Sequence, residues 1–320
     1  MKSLFKKVFS ITQSEDGLHN KLVLFGIKIY FARPSIEMKR RKHPYYYYKK
    51  HNLDITTMPP ATGDFREFQL ATLALLIDFD EICKQNNIHY WLDFGTLIGA
   101  VRHKGYIPWD DDIDLGLFRE DFDRIMDVVN NNTVNPDIIA DVVEGESFIK
   151  IKNKKTDLLF LDLFPVDEYG EIIPEEQQLE ESVTIRKLAQ ETKLYLKSEK
   201  DFNKRQARLN EIKVEKVVKS LKPNDKTKMQ YVWGIDFAHC WRNWFTNYDV
   251  YFPFKTITFE GLEFPCMNKP EEYLARVYGN FMGYPRKMRL GHNILKEHSK
   301  EDKAVFRELI REKGLEDKLN

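Results

Sequence analysis

Three aspartates, Asp112, Asp114 and Asp162, are of the type and in the setting to hold a divalent cation against a phosphate. Asp112-Ile113-Asp114 reads as the start of a β-strand, along which side chains alternate between faces. Asp112 and Asp114 then share a face, about 6–7 Å apart, while Ile113 enters the core. Carboxylates so placed repel each other unless a cation lies between them. Hard oxygen donors select Mg²⁺ or Mn²⁺ over zinc. Asp162 lies within the apolar run Leu158–Phe164, where an uncompensated carboxylate is costly. It is expected to be a third metal ligand or a general base. Asp110 and Asp111 are expected to shape the loop or to hydrogen-bond the ligands from behind. Asp157 and Asp167, at the ends of the same run, read as surface residues.

Around these carboxylates stand groups suited to an anion. Gly95-Thr96 sits where a strand turns into a helix, so backbone N–H groups there point at whatever lies above the sheet. The glycine allows close backbone approach. Arg102 offers a planar fork that matches phosphate oxygens. Lys150 and Lys152 share one strand face and could both bind phosphate, and Lys152 is expected to contact substrate with Asp110, Trp109 and His292. His103 rides beside Arg102.

The elements that must position these groups follow from hydrophobic period. Phe68, Leu70, Leu73, Leu75, Leu76, Phe79 and Ile82 predict a helix over Asp64–Asn87. A strand over His89–Phe94 leads through Gly95 into a short helix over Thr96–His103, capped by Thr96 or its neighbour. After a loop with Gly105 and Pro108, a strand over Asp112–Phe118 turns Ile113, Leu115 and Leu117 inward, and a helix follows over Arg119–Asn131. Strand-like runs cover Asp137–Val143, Ser147–Lys152 and Leu158–Phe164. Residues 173–222 read as a charged helical insertion or lid. Residues 231–248, with Trp233, Trp241 and Trp244, read as a further helical stretch. Thr256–Phe264 has the pattern of a hairpin turning at Glu260-Gly261, Pro270–Tyr278 that of a helix opened by proline, and 299–320 that of an amphipathic helix. The sum is an α+β fold, a small mixed sheet flanked by helices, with a helical C-terminal half.

Composition narrows the function. The 320 residues carry no formal net charge, yet residues 1–50 hold twelve Lys or Arg against Glu15, Asp16 and Glu37. The rest of the chain is correspondingly acidic, which argues against a nucleic-acid binder. Leu4, Phe5, Val8 and Phe9 fall on one face of a possible helix, and Lys21–Ala32 reads as two short strands around Gly26. Lys39-Arg40-Arg41-Lys42 precedes Tyr45 to Tyr48 and Lys49-Lys50, a pairing of basic and interfacial aromatic residues that suits an anionic membrane surface. Residues 1–60 are therefore set apart as a basic segment, with Pro59-Pro60 and Gly63 marking the linker to a main domain over 61–298. Cys83, Cys240 and Cys266 form no CxxC pair, so neither a disulfide framework nor a zinc site is expected, and a reducing cytoplasmic compartment is. No run approaches the ~20 apolar residues of a membrane span. The protein is expected to be cytoplasmic and peripheral at the inner face of the cell membrane.

Gly-Thr at a strand–helix turn followed by Asp-Ile-Asp resembles the polymerase-β-like nucleotidyltransferase superfamily. The longer phrase Tyr90–Leu117, YWLDFGTLIGAVRHKGYIPWDDDIDLGL, resembles the LicD family, which includes the fukutin-type transferases. Phe160–Asp167 (FLDLFPVD) and Tyr278-Gly279-Asn280 resemble two further segments of that family, although Asn280 stands where the family commonly has Asp.

The resemblance implies a polymerase-β-like core and transfer of a phospho-alcohol, phosphocholine or a polyol phosphate. The donor would be CDP-linked and the acceptor a sugar hydroxyl of a glycan or glycolipid of lipopolysaccharide, capsule or teichoic-acid type. Asp112, Asp114 and Asp162 would hold the metals, Gly95 and Thr96 the diphosphate, and Trp109 could face a choline cation. Two other readings remain open: nucleotidyl transfer with release of pyrophosphate, and a non-catalytic nucleotide-binding scaffold.

Overall fold

A computed structural model describes residues 9–13, 19–24, 27–32, 43–142, 148–196, 199, 201, 203–204, 207–208, 223–234, 245–285 and 298–319. His292, Cys240, Trp241 and Trp244 lie outside the described residues, as do Leu4, Phe5 and Val8. Phe9, expected in a helix, opens a strand instead. β1 (Phe9–Gln13), β2 (His19–Leu24) and β3 (Ile27–Ala32) form an antiparallel three-stranded sheet, the last two as expected around Gly26.

The packed body starts earlier than residue 61. Helix α1 (Pro44–Lys50) buries Tyr45, whose ring meets Trp109 at 5.0 Å and Tyr284 at 5.6 Å between centroids. Ile55 and Met58 are also core residues. The run of tyrosines thus divides: Tyr45 faces inward, while Tyr46 and Tyr47 stay exposed.

Helix α2 (Gly63–Asn86) is buried nearly all round, from Phe68 to Cys83, as an inner helix must be, and stops at Asn87, which takes the left-handed conformation. It packs on the central sheet with helix α8 (Lys300–Glu312) across it. That sheet contains β4 (Tyr90–Leu92), β5 (Asp114–Phe118) and the long β8 (Thr156–Glu171) side by side. β5 runs parallel to β8 and antiparallel to β4. β8 pairs antiparallel with β7 (Ile149–Asn153) along its first half and with β9 (Met229–Trp233) along its second. β6 (Ile138–Val142) lies outside β7 and the two-residue β10 (Thr246–Asn247) outside β9. The sheet is mixed, as expected. Gly116 of β5 is required where it stands, because a Cβ there would lie 2.3 Å from the Trp91 ring.

Helices α3 (Phe94–His103) and α4 (Arg119–Asn130) flank β5. In α4, Arg119 forks onto Asp167 at 2.9 and 3.0 Å. Asp167 is wholly buried, contrary to the surface position expected of it. On β8 it shares parity with Leu159, Leu161 and Leu163, the buried face, and the guanidinium compensates its charge.

The C-terminal half is mixed rather than helical. Helix α5 (Glu175–Leu196) begins the expected insertion. Trp233, expected on a helix, closes β9 and brings that strand into the central sheet. The short α6 (Tyr248–Tyr251) leads to the hairpin β11 (Lys255–Phe259) and β12 (Leu262–Cys266). Its turn is Glu260-Gly261, both at positive φ, as expected. Helix α7 (Pro270–Tyr278) follows.

Candidate active site

The carboxylates come together through strand register. Asp114 on β5 pairs with Asp162 on β8, and Asp162 pairs in turn with Lys150 on β7. Cross-strand neighbours point to the same face, so one row across three strands reads Asp114, Asp162, Lys150. Asp112 and Ile113 precede β5 instead of opening it, yet the alternation holds, with Ile113 fully buried and Asp112 and Asp114 partly exposed. The Asp162 N–H donates to the Ile113 carbonyl at 2.9 Å, which extends the pairing past the end of the strand.

The loop that carries Asp110 to Asp112 is fixed from two sides. Gln69 of α2, fully buried, donates to the Asp110 carbonyl at 2.8 Å. Glu260 at the hairpin turn accepts from the Tyr106 N–H at 3.0 Å and is gripped by Arg66 at 3.1 and 2.7 Å. These bonds deliver three consecutive aspartates to one place. Asp110, Asp111 and Asp112 each put a carboxylate oxygen within 4.8 Å of the others'. Asp110 and Asp111, expected to work from behind, therefore join the candidate ligands.

The start of α3 differs from expectation in its cap. Asp93, not Thr96, is the N-cap, and it accepts from the Phe94 N–H at 2.7 Å. Its fully buried carboxylate also accepts from the Tyr273 hydroxyl at 2.8 Å and the Trp91 indole at 3.1 Å. The Asp93 N–H donates to the Asp114 carbonyl at 2.9 Å, tying the cap to the site. Burial raises the Asp93 carboxyl to about 6, against the pull of those donors. Thr96 is buried, and its hydroxyl accepts from the Asp114 N–H at 2.8 Å, so it positions the ligand strand. Gly95 does meet an anion, but one supplied by the chain: a Cβ there would lie 2.7 Å from Asp110 Oδ2 and 3.8 Å from Asp114 Oδ2.

Burial and mutual repulsion hold Asp110 and Asp114 well above the ordinary carboxylate range. For Asp110 burial comes first, then the charges of Asp112 and Asp111. For Asp114 burial again leads, then Asp112, Asp162 and Asp110. Crowded oxygen donors short of positive charge fit a hard divalent cation. Tyr278, at the end of α7, was not singled out as a site residue. Its phenol is raised by burial and then by the charges of Asp114, Asp93, Asp110 and Asp112, while 37% of the residue stays exposed. The Tyr278-Gly279-Asn280 segment was its only signal in the sequence.

Other candidates are engaged elsewhere. Arg102 is buried and donates to the carbonyls of Phe281 and Gly283 at 2.7 and 3.4 Å and to His103 Nε2 at 2.9 Å. Its guanidinium backs onto the Trp109 ring at 5.8 Å. Burial lowers it to about 10, with Asp110 opposing. Arg102 thus clamps the segment after α7, and Trp109, 6% exposed, is a wall of that clamp and not an open aromatic face. Burial and the Arg102 charge lower His103 to about 3, so it is neutral. Lys152 pairs with Asp141 of β6 at 2.9 Å, and its register partner is Phe160. Lys150 instead lies 2.6 Å from Asp162 Oδ1. A cavity of about 880 Å³ opens at the far end of β5 around Phe118, Tyr231 and Phe252, and none of the carboxylates of the row lines it.

Comparison with known proteins adds an independent finding. The sequence model described as LicD/FKTN/FKRP, nucleotidyltransferase domain, matches residues 87–187, which include the Asp cluster and Asp162. The lipopolysaccharide cholinephosphotransferase LicD of Haemophilus influenzae is 30% identical over 252 residues, 69% of this chain and 92% of the relative. The human ribitol 5-phosphate transferase FKRP is 34% identical over 83 residues, 24% of this chain and 17% of the relative. An uncharacterized protein of Rickettsia prowazekii is 52% identical over 52 residues, 16% of this chain and 20% of the relative.

Proposed function

The chain belongs to the LicD family, and on that premise we propose that it moves a phospho-alcohol, phosphocholine or a polyol phosphate, from a CDP-linked donor to a sugar hydroxyl of a cell-surface glycan. It is an enzyme, a transferase of substituted phosphate groups. The observation that carries the reading is the register of Asp114 with Asp162 beside Asp110, Asp111 and Asp112. Three clustered carboxylates beside a row of two more and one ammonium suit a site that takes up cations together with a phosphorylated substrate. Two relatives named for transfer of phosphocholine and of ribitol 5-phosphate support the class of group transferred. A polymerase-β-like arrangement of the core is part of the same proposal.

In this reading the acceptor hydroxyl attacks the donor's β-phosphorus, a new O–P bond forms, and the bond to CMP breaks. Asp110, Asp111, Asp112 and Asp114 would hold Mg²⁺ or Mn²⁺, with Asp162 as a further ligand or as base. When bound, the metal would neutralise the cluster and polarise the phosphoryl oxygens. Asp162, paired with Lys150, would accept the hydroxyl proton if it serves as the base. Thr96 and Asp93 keep β5 in register while charge moves to the leaving group.

No described helix is long and apolar enough to cross a membrane. The basic residues of the first fifty, with exposed Tyr46, Tyr47, Lys49 and Lys50, support contact with an anionic bilayer, where a glycolipid acceptor would be met. The test of function is direct. The full chain, Mg²⁺ and a panel of CDP-alcohols with candidate glycans are followed by mass spectrometry for CMP and the phosphorylated glycan. Pyrophosphate from CTP, with no CMP from any CDP-alcohol, would assign nucleotidyl transfer instead.

A further inference from the structure

We propose that Lys150 is a phosphate-binding residue of this site, holding the donor's diphosphate from the β7 side. The inference rests on the proposed use of a diphosphate donor. Its own basis is the row across the sheet. Lys150 is the register partner of Asp162, which is the register partner of Asp114. With strands about 4.8 Å apart, the backbones of β5 and β7 stand roughly 10 Å from each other. That gap is what a phosphate seated above Asp162 would span, held by the carboxylate cluster on one side and an ammonium on the other.

The surroundings of the ammonium fit this role. Lys150 Nζ lies 2.6 Å from Asp162 Oδ1 and 3.2 Å from the centroid of the Phe160 ring, with Phe148 at 5.7 Å. The two rings hold the side chain through their faces and supply no lone-pair acceptor. An ammonium has three N–H donors, of which Asp162 accepts one here. The side chain keeps 20% of its surface exposed, at the edge of the row, so it is reachable from solvent. Lys152, two residues along the same strand face, lacks this geometry, because its register partner is Phe160 and its charge is held by Asp141. Charge points the same way. Asp110, Asp111, Asp112, Asp114 and Asp162 repel an incoming diphosphate, and Lys150 is the cation in register with Asp162 and, through it, with Asp114.

The rival explanation is that Lys150 only neutralises Asp162. A double-mutant cycle separates the two. Binding of CDP, with pyrophosphate as second probe, is measured by titration calorimetry in Mg²⁺ for the full chain, Lys150→Met, Asp162→Asn and the double variant, each checked for native melting. Loss of one charge-assisted bond should weaken CDP binding by about tenfold or more, in the native and the Asp162→Asn backgrounds alike. Lys150→Arg should restore most of it. A cost under about twofold, or one that disappears in the Asp162→Asn background, overturns the proposal. Binding of pyrophosphate but not CDP would remove the CDP-donor reading, and the same cycle on pyrophosphate would still decide Lys150. Binding of neither probe would overturn both.

Discussion

Asp114 and Asp162 are register partners on adjacent parallel strands, so their side chains rise from one face of the sheet. Antiparallel hairpins bring together residues close in sequence, whereas a parallel pair needs a crossover, here made by α4, β6 and β7. A carboxylate from each end of that crossover is thereby placed in one row across the sheet. Burial and the neighbouring Asp112 and Asp162 raise the Asp114 carboxyl, which marks this position, like Asp110, as one in need of a counter-charge.

Replacing Asp114 with Asn should therefore lower turnover by about a thousandfold or more while leaving the metal-free fold as stable or more stable. The change keeps the shape and removes a repelling charge. Steady-state kinetics and thermal melting in chelator check both halves. Near-native turnover would remove Asp114 from the catalytic set.

Arg102 should behave as a clamp. Arg102→Met leaves the carbonyls of Phe281 and Gly283 without their donor and should cost about 3 kcal/mol in urea melts, with faster proteolytic cutting after α7. Native stability with only a raised donor KM would show that Arg102 meets phosphate directly.

Asp93 sets a pH window. Its carboxyl titrates at about 6 in the native state and near the ordinary ~3.9 when unfolded. A raised value means the native state holds the proton more tightly. The stabilisation is present below about pH 4 and is lost as pH rises through 6. The gap corresponds to roughly 3 kcal/mol. Relative to Asp93→Asn, the native chain should gain that much stability between pH 7 and pH 4, measured by urea unfolding at each pH. A difference that is flat with pH would contradict this.

The position of Tyr45 decides where the basic segment can be cut. Deleting residues 1–42 removes ten of the twelve early Lys and Arg but leaves α1 and its cap His43. Sedimentation with anionic vesicles should show at least a hundredfold loss of binding, at about 1 kcal/mol per basic residue near the surface, with activity on a soluble acceptor kept. Deletion through residue 58 should unfold the body, because Tyr45, Ile55 and Met58 are core residues. Equal vesicle binding with and without residues 1–42 would discard the membrane contact.

What was legible in the sequence was local. The alternation of Asp112, Ile113 and Asp114, the Glu260-Gly261 turn and the proline-opened helix α7 each depend on neighbours within a few residues, and each holds, although β5 opens only at Asp114. What was not legible depends on register or on distant partners. The cap of α3 passed from Thr96 to Asp93 because Tyr273 and Trp91, brought in by other elements, give Asp93 its donors. Choosing Lys150 over Lys152 needs the β7–β8 register, which pattern alone leaves open by two residues. Trp233 looked helical among spaced tryptophans, but it is β9 packing beside β8 that holds it. Asp167 looked like a strand-end surface residue because Arg119, its partner, is 48 residues away.

The central claim is the bond that breaks, and the small product reports it. With a CDP-alcohol, its glycan acceptor and Mg²⁺, quantitative mass spectrometry should find one CMP for each phospho-alcohol transferred, and none with chelator or in Asp114→Asn. Pyrophosphate formed from CTP, with no CMP from any CDP-alcohol offered, would contradict the account.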